Sequence, residues 1–351
     1  MLHSNRKPEN SSNGWPSFGF TLIELLVVIS IIAVLIGILL PSLTAARMQG
    51  QAMKCAANMH DVATAMSGYL SDWNGTYPPA YIYPDSEGNY DFFDQNAAHP
   101  FGYIHWSWFL YSNGQVQDKS FQCPTYPKGG APRTNPGPSA DNWESGQVDQ
   151  NSNSSPNSSA VDAQAPRMSY TGNAAVFPRN KFTAELSGAE GGGMRINVFT
   201  QDSKIGDTGK TILLTEFANN WRAIGVDQGG AILSKSHRSI NPFFHIGSGT
   251  NEYAAPPEVP GFTYGDAPYY GLLPKAQFEE LSGVMDNAAI AEVNAVGRHH
   301  PGGDTYTGGT ANFLYADGHV EKKSVLQSME NKDWGLYYYS LSGANKIGPP
   351  W

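Results

Sequence analysis

Charge is what this chain of 351 residues has little of: Asp, Glu, Lys and Arg together make up 15% of it. Its few basic residues form no cluster and the formal net charge is −9, which argues against nucleic-acid binding by electrostatics. Residues 1–19 contribute +1 through Arg6, Lys7 and Glu9, leaving −10 beyond them. Cysteine appears twice, as Cys55 and Cys123. Signatures of catalysis are missing too. Gly206-Asp207-Thr208-Gly209-Lys210-Thr211 looks like a phosphate loop, but Lys204 stands where that loop needs glycine. Ser234-Lys235-Ser236-His237 lacks the glycine elbow and partner motifs of serine hydrolases and reads as a polar loop. There is no Asp-x-Asp-x-Asp-Gly run for calcium, and Glu279-Glu280 reads as an exposed helix face, not a catalytic carboxylate pair.

What is present is an uninterrupted apolar run. Phe20 to Leu40 contains one charge, Glu24, and neither Pro nor Asn. As a helix it would be roughly 31 Å long, enough to cross the hydrocarbon core of a bilayer. It is too long for the apolar core of a secretory signal peptide. A carboxylate within such a span costs about 2.5–3.5 kcal/mol, so Glu24 needs a partner or a function. A cut after Gly19 would create an α-amino group on Phe20, one helical turn from Glu24. That suggests pairing between the amine of one chain and the carboxylate of its neighbour.

Gly19-Phe20-Thr21-Leu22-Ile23-Glu24-Leu25-Leu26-Val27-Val28-Ile29 resembles the type IV prepilin N-terminal motif shared by pilins and secretion-system pseudopilins. The resemblance implies cleavage by a prepilin peptidase between Gly19 and Phe20, N-methylation of Phe20, and a guiding role for Glu24 in assembly. Pro41 falls where many pilins carry a helix-kinking proline. Flanking charge is a weak guide to orientation, with Arg6 and Lys7 before the span and Arg47 and Lys54 after it. The resemblance implies a cytoplasmic leader, an inner-membrane single pass and an exported remainder. In an exported domain Cys55 and Cys123 read as a disulfide; the alternative is two buried free thiols.

Beyond Pro41 the helical pattern continues. Leu43, Ala46, Met53, Ala56, Met59, Val62 or Ala63, Met66 and Tyr69 or Leu70 form an apolar face, with Arg47, Gln49, Gln51, Lys54, Asn58 and Asp61 mostly opposite. The pattern stops at Asp72-Trp73-Asn74-Gly75. The expected organisation is a leader at 1–19, a transmembrane helix at 20–40, its amphipathic continuation at 41–72 and an exported domain at 73–351. Within that domain 128–166, crowded with Gly, Pro, Ser, Asn and Gln, reads as a solvated loop or disordered insertion. Trp106–Tyr111 reads as a buried strand or short helix, and Arg195–Phe199 and Thr211–Thr215 as strands. Ala311–Tyr315 and His319–Lys322 flank Asp317-Gly318, a two-residue hairpin signal. Glu216, closing an apolar strand, reads as a buried carboxylate whose partner the sequence does not name.

Cys55-x-x-Asn58, Tyr77-Pro78-Pro79, Phe121-x-Cys123-Pro124, Ser169-Tyr170-x-x-Asn173 and the Asp317-Gly318 hairpin, in this order, resemble the large pilin-like proteins of planctomycetes. Those proteins close with a His-x9-Asp-Gly motif. Here the spacing from His300 is His-x16-Asp-Gly, seven residues longer.

Arg298-His299-His300, Asp304, Asp317 and His319 are the densest set of potential metal ligands. Adjacent histidines point differently on most backbones, so packing of the Arg-His segment against the last hairpin is the favoured reading over a metal site at His299, His300, Asp304 and Asp317. No cofactor is expected; calcium, which some pseudopilins hold, is the alternative. The expected fold is α+β: a long N-terminal transmembrane and amphipathic helix packed on an antiparallel sheet, as in type IV pilins. The expected function is a structural subunit of a pilus-like or type II secretion pseudopilus filament. Its partners are then the prepilin peptidase and other pilin or pseudopilin subunits. The rivals are a membrane-anchored binding protein that grips polysaccharide with its aromatics, and an anchored hydrolase using His299, His300 and Asp304.

Overall fold

In a computed structural model of the chain, the residues described are 19–96, 98, 100–154, 156, 159–183, 186, 196–240, 244–245, 262–263, 272–280, 283–286 and 292–341. The leader before Gly19, Arg195, most of 241–271 and the aromatic tail after Leu341 lie outside them.

Leu22–Asp72 is one 51-residue helix, which contributes to two compact units, one ending at Arg47 and the other starting at Met48. In the first unit every residue from Gly19 onward is exposed. Pro41 lies inside the helix without ending it. Its missing N–H leaves the Gly37 carbonyl without the usual partner. Nearby, the Ser42 and Thr44 hydroxyls donate to the Leu39 and Leu40 carbonyls at 2.8 and 3.0 Å.

Within the second unit the helix buries Ala52, Cys55, Asn58, Met59, Val62, Ala63, Ala65, Met66 and Tyr69, a stripe at three- and four-residue steps. Two positions differ from expectation. Met53 is 73% exposed, and Asn58 is buried because its Nδ2 donates to the Gln122 carbonyl at 2.7 Å. A buried amide with a good acceptor is tolerated where an unpaired one would not be. The helix stops where Asn74 and Gly75 adopt positive φ, 51° and 74°, and the Gly75 N–H turns back to the Leu70 carbonyl at 2.7 Å.

A four-stranded antiparallel sheet carries the core. Its order is Val320–Lys323, Ala311–Tyr315, Ile212–Glu216, Tyr170–Gly172. The central strands Ala311–Tyr315 and Ile212–Glu216 are buried throughout. Apolar runs bounded by turns suit strands covered on both faces. The fold is thus α+β: a long apolar helix followed by a domain of antiparallel sheets. The closing hairpin differs in detail from the expected two-residue turn. Tyr315 N–H bonds the His319 carbonyl at 2.9 Å, so Ala316, Asp317 and Gly318 form a three-residue loop with Gly318 at φ 93°. Trp106–Tyr111 is a short helix capped by His105, whose Nδ1 accepts the Ser107 N–H at 3.2 Å. Of the strand expected at Arg195–Phe199, the described part makes only an isolated bridge, Asn197 to Leu341.

The segment 128–166 is the clearest correction. Rather than a solvated loop, its described residues include Gln147–Val148, paired parallel to Ala231–Ser234, and Ala131–Pro132, paired with Arg167–Met168. Polar side chains do here what apolar ones do elsewhere. The buried Asp162 carboxylate accepts from the backbone N–H of Tyr103 and Asn135 and from Asn135 Nδ2 at 2.7–2.9 Å. Thr134 Oγ1 donates to the Ser234 carbonyl at 2.7 Å, and Gln147 Nε2 to that of Arg133 at 2.7 Å. Short polar side chains that satisfy backbone groups make an ordered segment out of a disorder-like composition.

Candidate functional site

Two places concentrate chemistry. The first is the helix start. Glu24 N–H donates to Thr21 Oγ1 at 3.2 Å, while Glu24 Oε2 accepts from the Thr21 N–H at 2.9 Å and the Thr21 hydroxyl at 2.8 Å. This is a capping box, in which two orphan helix donors are satisfied reciprocally. Glu24 therefore has a partner inside its own helix. The Thr21-x-x-Glu24 spacing before an apolar run is the sequence signal for it. Phe20, 70% exposed, immediately precedes the cap. Leu22–Asp72 is the one helix among the described residues long and apolar enough to cross a membrane.

The second place is buried beside the sheet. Cys55, on the helix, is disulfide-bonded to Cys123, with Cα atoms 4.9 Å apart. The Cys55-x-x-Asn58, Phe121-x-Cys123-Pro124 and Ser169-Tyr170 motifs meet here. Asn58 and Tyr170 Oη donate to the Gln122 carbonyl, and Tyr170 Oη also to the Cys55 carbonyl at 3.0 Å. Ser169 Oγ accepts the Cys123 N–H at 2.9 Å. Asn173 Nδ2 ties the Ile212 and Trp334 carbonyls together at 2.8 and 2.9 Å.

Glu216, fully buried, faces the same disulfide. His300 Nε2 donates to its Oε1 at 2.9 Å, Asn312 N–H to its Oε2 at 2.8 Å and Asn312 Nδ2 to Oε1 at 3.1 Å. Burial pushes the Glu216 carboxyl up, but the His300 bond, the two imidazoles and the Asn312 N–H more than offset this, leaving it below its usual range. His299 Nε2 stands 3.9 Å from Glu216 Oε2 and 3.9 Å from Cys123 Sγ. Burial lowers His299 to about 4. The adjacent histidines thus serve one cluster, their rings 4.5 Å apart, and the Nδ1 atom of each is buried without a hydrogen-bond partner.

The other predicted residues are elsewhere. Asp304 accepts the Tyr306 N–H at 2.9 Å and two bonds from Thr307, closing its own turn. Asp317 holds the His319 N–H at 3.0 Å and the His319 ring at 2.6 Å on the exposed hairpin. Among the described residues the candidate metal-ligand group is Cys55, Cys123, Glu216 and His300, and it includes neither aspartate. Between His300 and Asp317 the chain makes a local detour. His300 and Thr310 form an antiparallel pair, at 3.1 and 3.0 Å, that closes residues 301–309 into an excursion before the strand begins.

Residues 17–40 match the family described as the prokaryotic N-terminal methylation motif. No curated protein and no solved structure matches the chain. The methylation motif and the apolar helix that follows it support a type IV pilin-like protein with a single-pass membrane anchor.

Proposed function

We propose that the chain is a structural subunit of a type IV pilus-like or type II secretion pseudopilus filament, not an enzyme. The methylation motif at 17–40, seated on a capped apolar helix, is the observation that carries this reading. In it a prepilin peptidase cuts between Gly19 and Phe20 and Phe20 is N-methylated. The helix then leaves the inner membrane for the filament, and Pro41 supplies a point of bending. The Cys55, Ser169-Tyr170-x-x-Asn173 and Asp317-Gly318 pieces favour the large planctomycete-type pilin-like proteins, with the domain on the periplasmic or outer side. Glu24 has two roles here. Both Thr21 donors use Oε2, which leaves Oε1 for a neighbour's Phe20 amine.

The processing step is tested by N-terminal sequencing and intact mass of protein from its native membrane. A start at N-methyl-Phe20 is expected; a start at Met1 would sink the processing step. Glu24→Gln separates capping from charge, since the amide oxygen still accepts from Thr21. The variant is expected to be cleaved normally while sheared filaments drop by about tenfold or more, equivalent to ~1.4 kcal/mol per contact. Undiminished filaments from Glu24→Gln would reduce Glu24 to a helix cap.

A further inference from the structure

Four side chains from remote parts of the chain bring their donor atoms to one buried point. Cys55 Sγ, Cys123 Sγ, His300 Nε2 and a Glu216 carboxylate oxygen all lie within 4.8 Å of one another, and all four residues are buried. Thiolate, imidazole and carboxylate are the ligands that zinc takes in tetrahedral sites, whereas calcium and magnesium require oxygen. We propose that when the Cys55–Cys123 disulfide is reduced, these four residues hold one Zn2+ ion in its place.

The exchange balances. A dithiol reductant delivers two electrons and two protons, ending as its own disulfide and leaving Cys55 and Cys123 as thiols. Zn2+ displaces both thiol protons to solvent and forms two Zn–S bonds. His300 binds as neutral imidazole through Nε2, so its proton moves to Nδ1 and its hydrogen bond to Glu216 gives way as both side chains become ligands. The ion and two thiolates sum to zero, so the net charge of the pocket is the same in the oxidised and the zinc-loaded state. No extra buried charge has to be desolvated.

The donors are held independently of the S–S bond. Tyr170 Oη fixes the Cys55 carbonyl, Ser169 Oγ the Cys123 N–H, and Asn58 the Gln122 carbonyl before it. Asn312 grips both Glu216 oxygens, the outer-shell support that orients a ligating carboxylate. The His300–Thr310 pair anchors the backbone of the imidazole ligand. Breaking the disulfide therefore frees two sulfurs in a site whose other parts stay positioned. The zinc state is independent of whether the helix enters a filament.

The test uses the full chain in detergent, reduced, freed of reductant under inert gas and titrated with Co2+. One Co2+ per chain is expected, with a thiolate-to-cobalt charge-transfer band and tetrahedral visible absorption, both removed by Zn2+. The oxidised chain should show neither. His300→Gln should weaken Co2+ binding on the order of a hundredfold or more, since even outer-shell changes cost 10–100-fold. His319→Ala, on the exposed hairpin, should leave it unchanged. The absence of a charge-transfer band in the reduced wild type overturns the site without recourse to any variant. A band that survives denaturing urea, or that His300→Gln leaves intact, overturns it equally, because thiols would then bind metal without the fold.

Discussion

Replacing Cys55 and Cys123 together with alanine is expected to lower the stability of the domain that follows the apolar helix by about 4 kcal/mol, read as a drop in the urea midpoint. The cysteines are 68 residues apart, and a cross-link closing a loop of that size removes roughly this much free energy from the folding equilibrium through the unfolded chain. Both residues are fully buried, so the lost sulfurs also leave a small gap beside His299 and His300. The backbone bonds of Tyr170, Ser169 and Asn58 survive the double substitution and keep the region from collapsing further. Reducing the wild type in the presence of a chelator should produce most of the same shift. A change under about 1 kcal/mol in both experiments would mean that the polar clasp, not the cross-link, secures the helix to the loop around Cys123.

Acid is expected to destabilise the domain well above the pH at which ordinary carboxylates titrate. Burial holds His105 down to about 3 and His237 well below 6.5, with the charges of Lys235, Arg238, His105 and Arg179 adding to the effect on His237. Both rings are buried, His237 stacked on Tyr103 at 4.0 Å with its Nδ1 against Thr134 Oγ1 at 2.6 Å. On unfolding each imidazole takes up a proton near its ordinary value. The stability they supply is therefore complete above about 6.5 and is lost as pH falls from there toward the folded values, by ~1.4 kcal/mol per pH unit for each ring. Asp162 works the other way. Burial raises it to about 6, so its contribution is complete below the ordinary aspartate range and is lost as pH rises through 6. His299, held at about 4, is a third such ring, and three rings against one carboxyl leave a net loss of ~2.7 kcal/mol per unit between pH 6 and 4. Thermal unfolding across that range checks it. A midpoint unchanged between pH 6 and 4 would refute it, and His237→Asn should flatten the slope.

Much of the fold was legible because its signals are local. Phe20 to Leu40 announces a helix by composition, Asp72 to Gly75 by its breakers announces an end, and Asp317-Gly318 a hairpin. The Thr21–Glu24 cap was equally local, and its four-residue signature was written in the chain. What could not be read was everything that depends on sheet register. Glu216 and His300 are 84 positions apart, and they meet because Thr215 stands opposite Phe313, which sets Glu216 beside Asn312. His299, His300, Asp304 and Asp317 stand near one another in sequence, yet Asp304 turns back on itself within the 301–309 excursion and Asp317 lies on the exposed hairpin. Segment 128–166 misled for a different reason. Composition counts apolar residues, whereas Asp162, Asn135, Thr134 and Gln147 order that stretch through hydrogen bonds to particular backbone groups.

The His300–Thr310 pair also bears on where this chain tolerates a change of length. Gly303 and Gly309 let the excursion fold tightly, since a side chain at Gly309 would collide with the Arg298 carbonyl and one at Gly303 with the Gly309 carbonyl. Once the ends of a loop are clamped, doubling its length costs only ~0.6 kcal/mol. Residues inserted between Gly303 and Gly309 should therefore cost little stability and leave His300 on Glu216. The contact dictates where the two ends of the detour stand, and the number of residues between them is only a weak constraint.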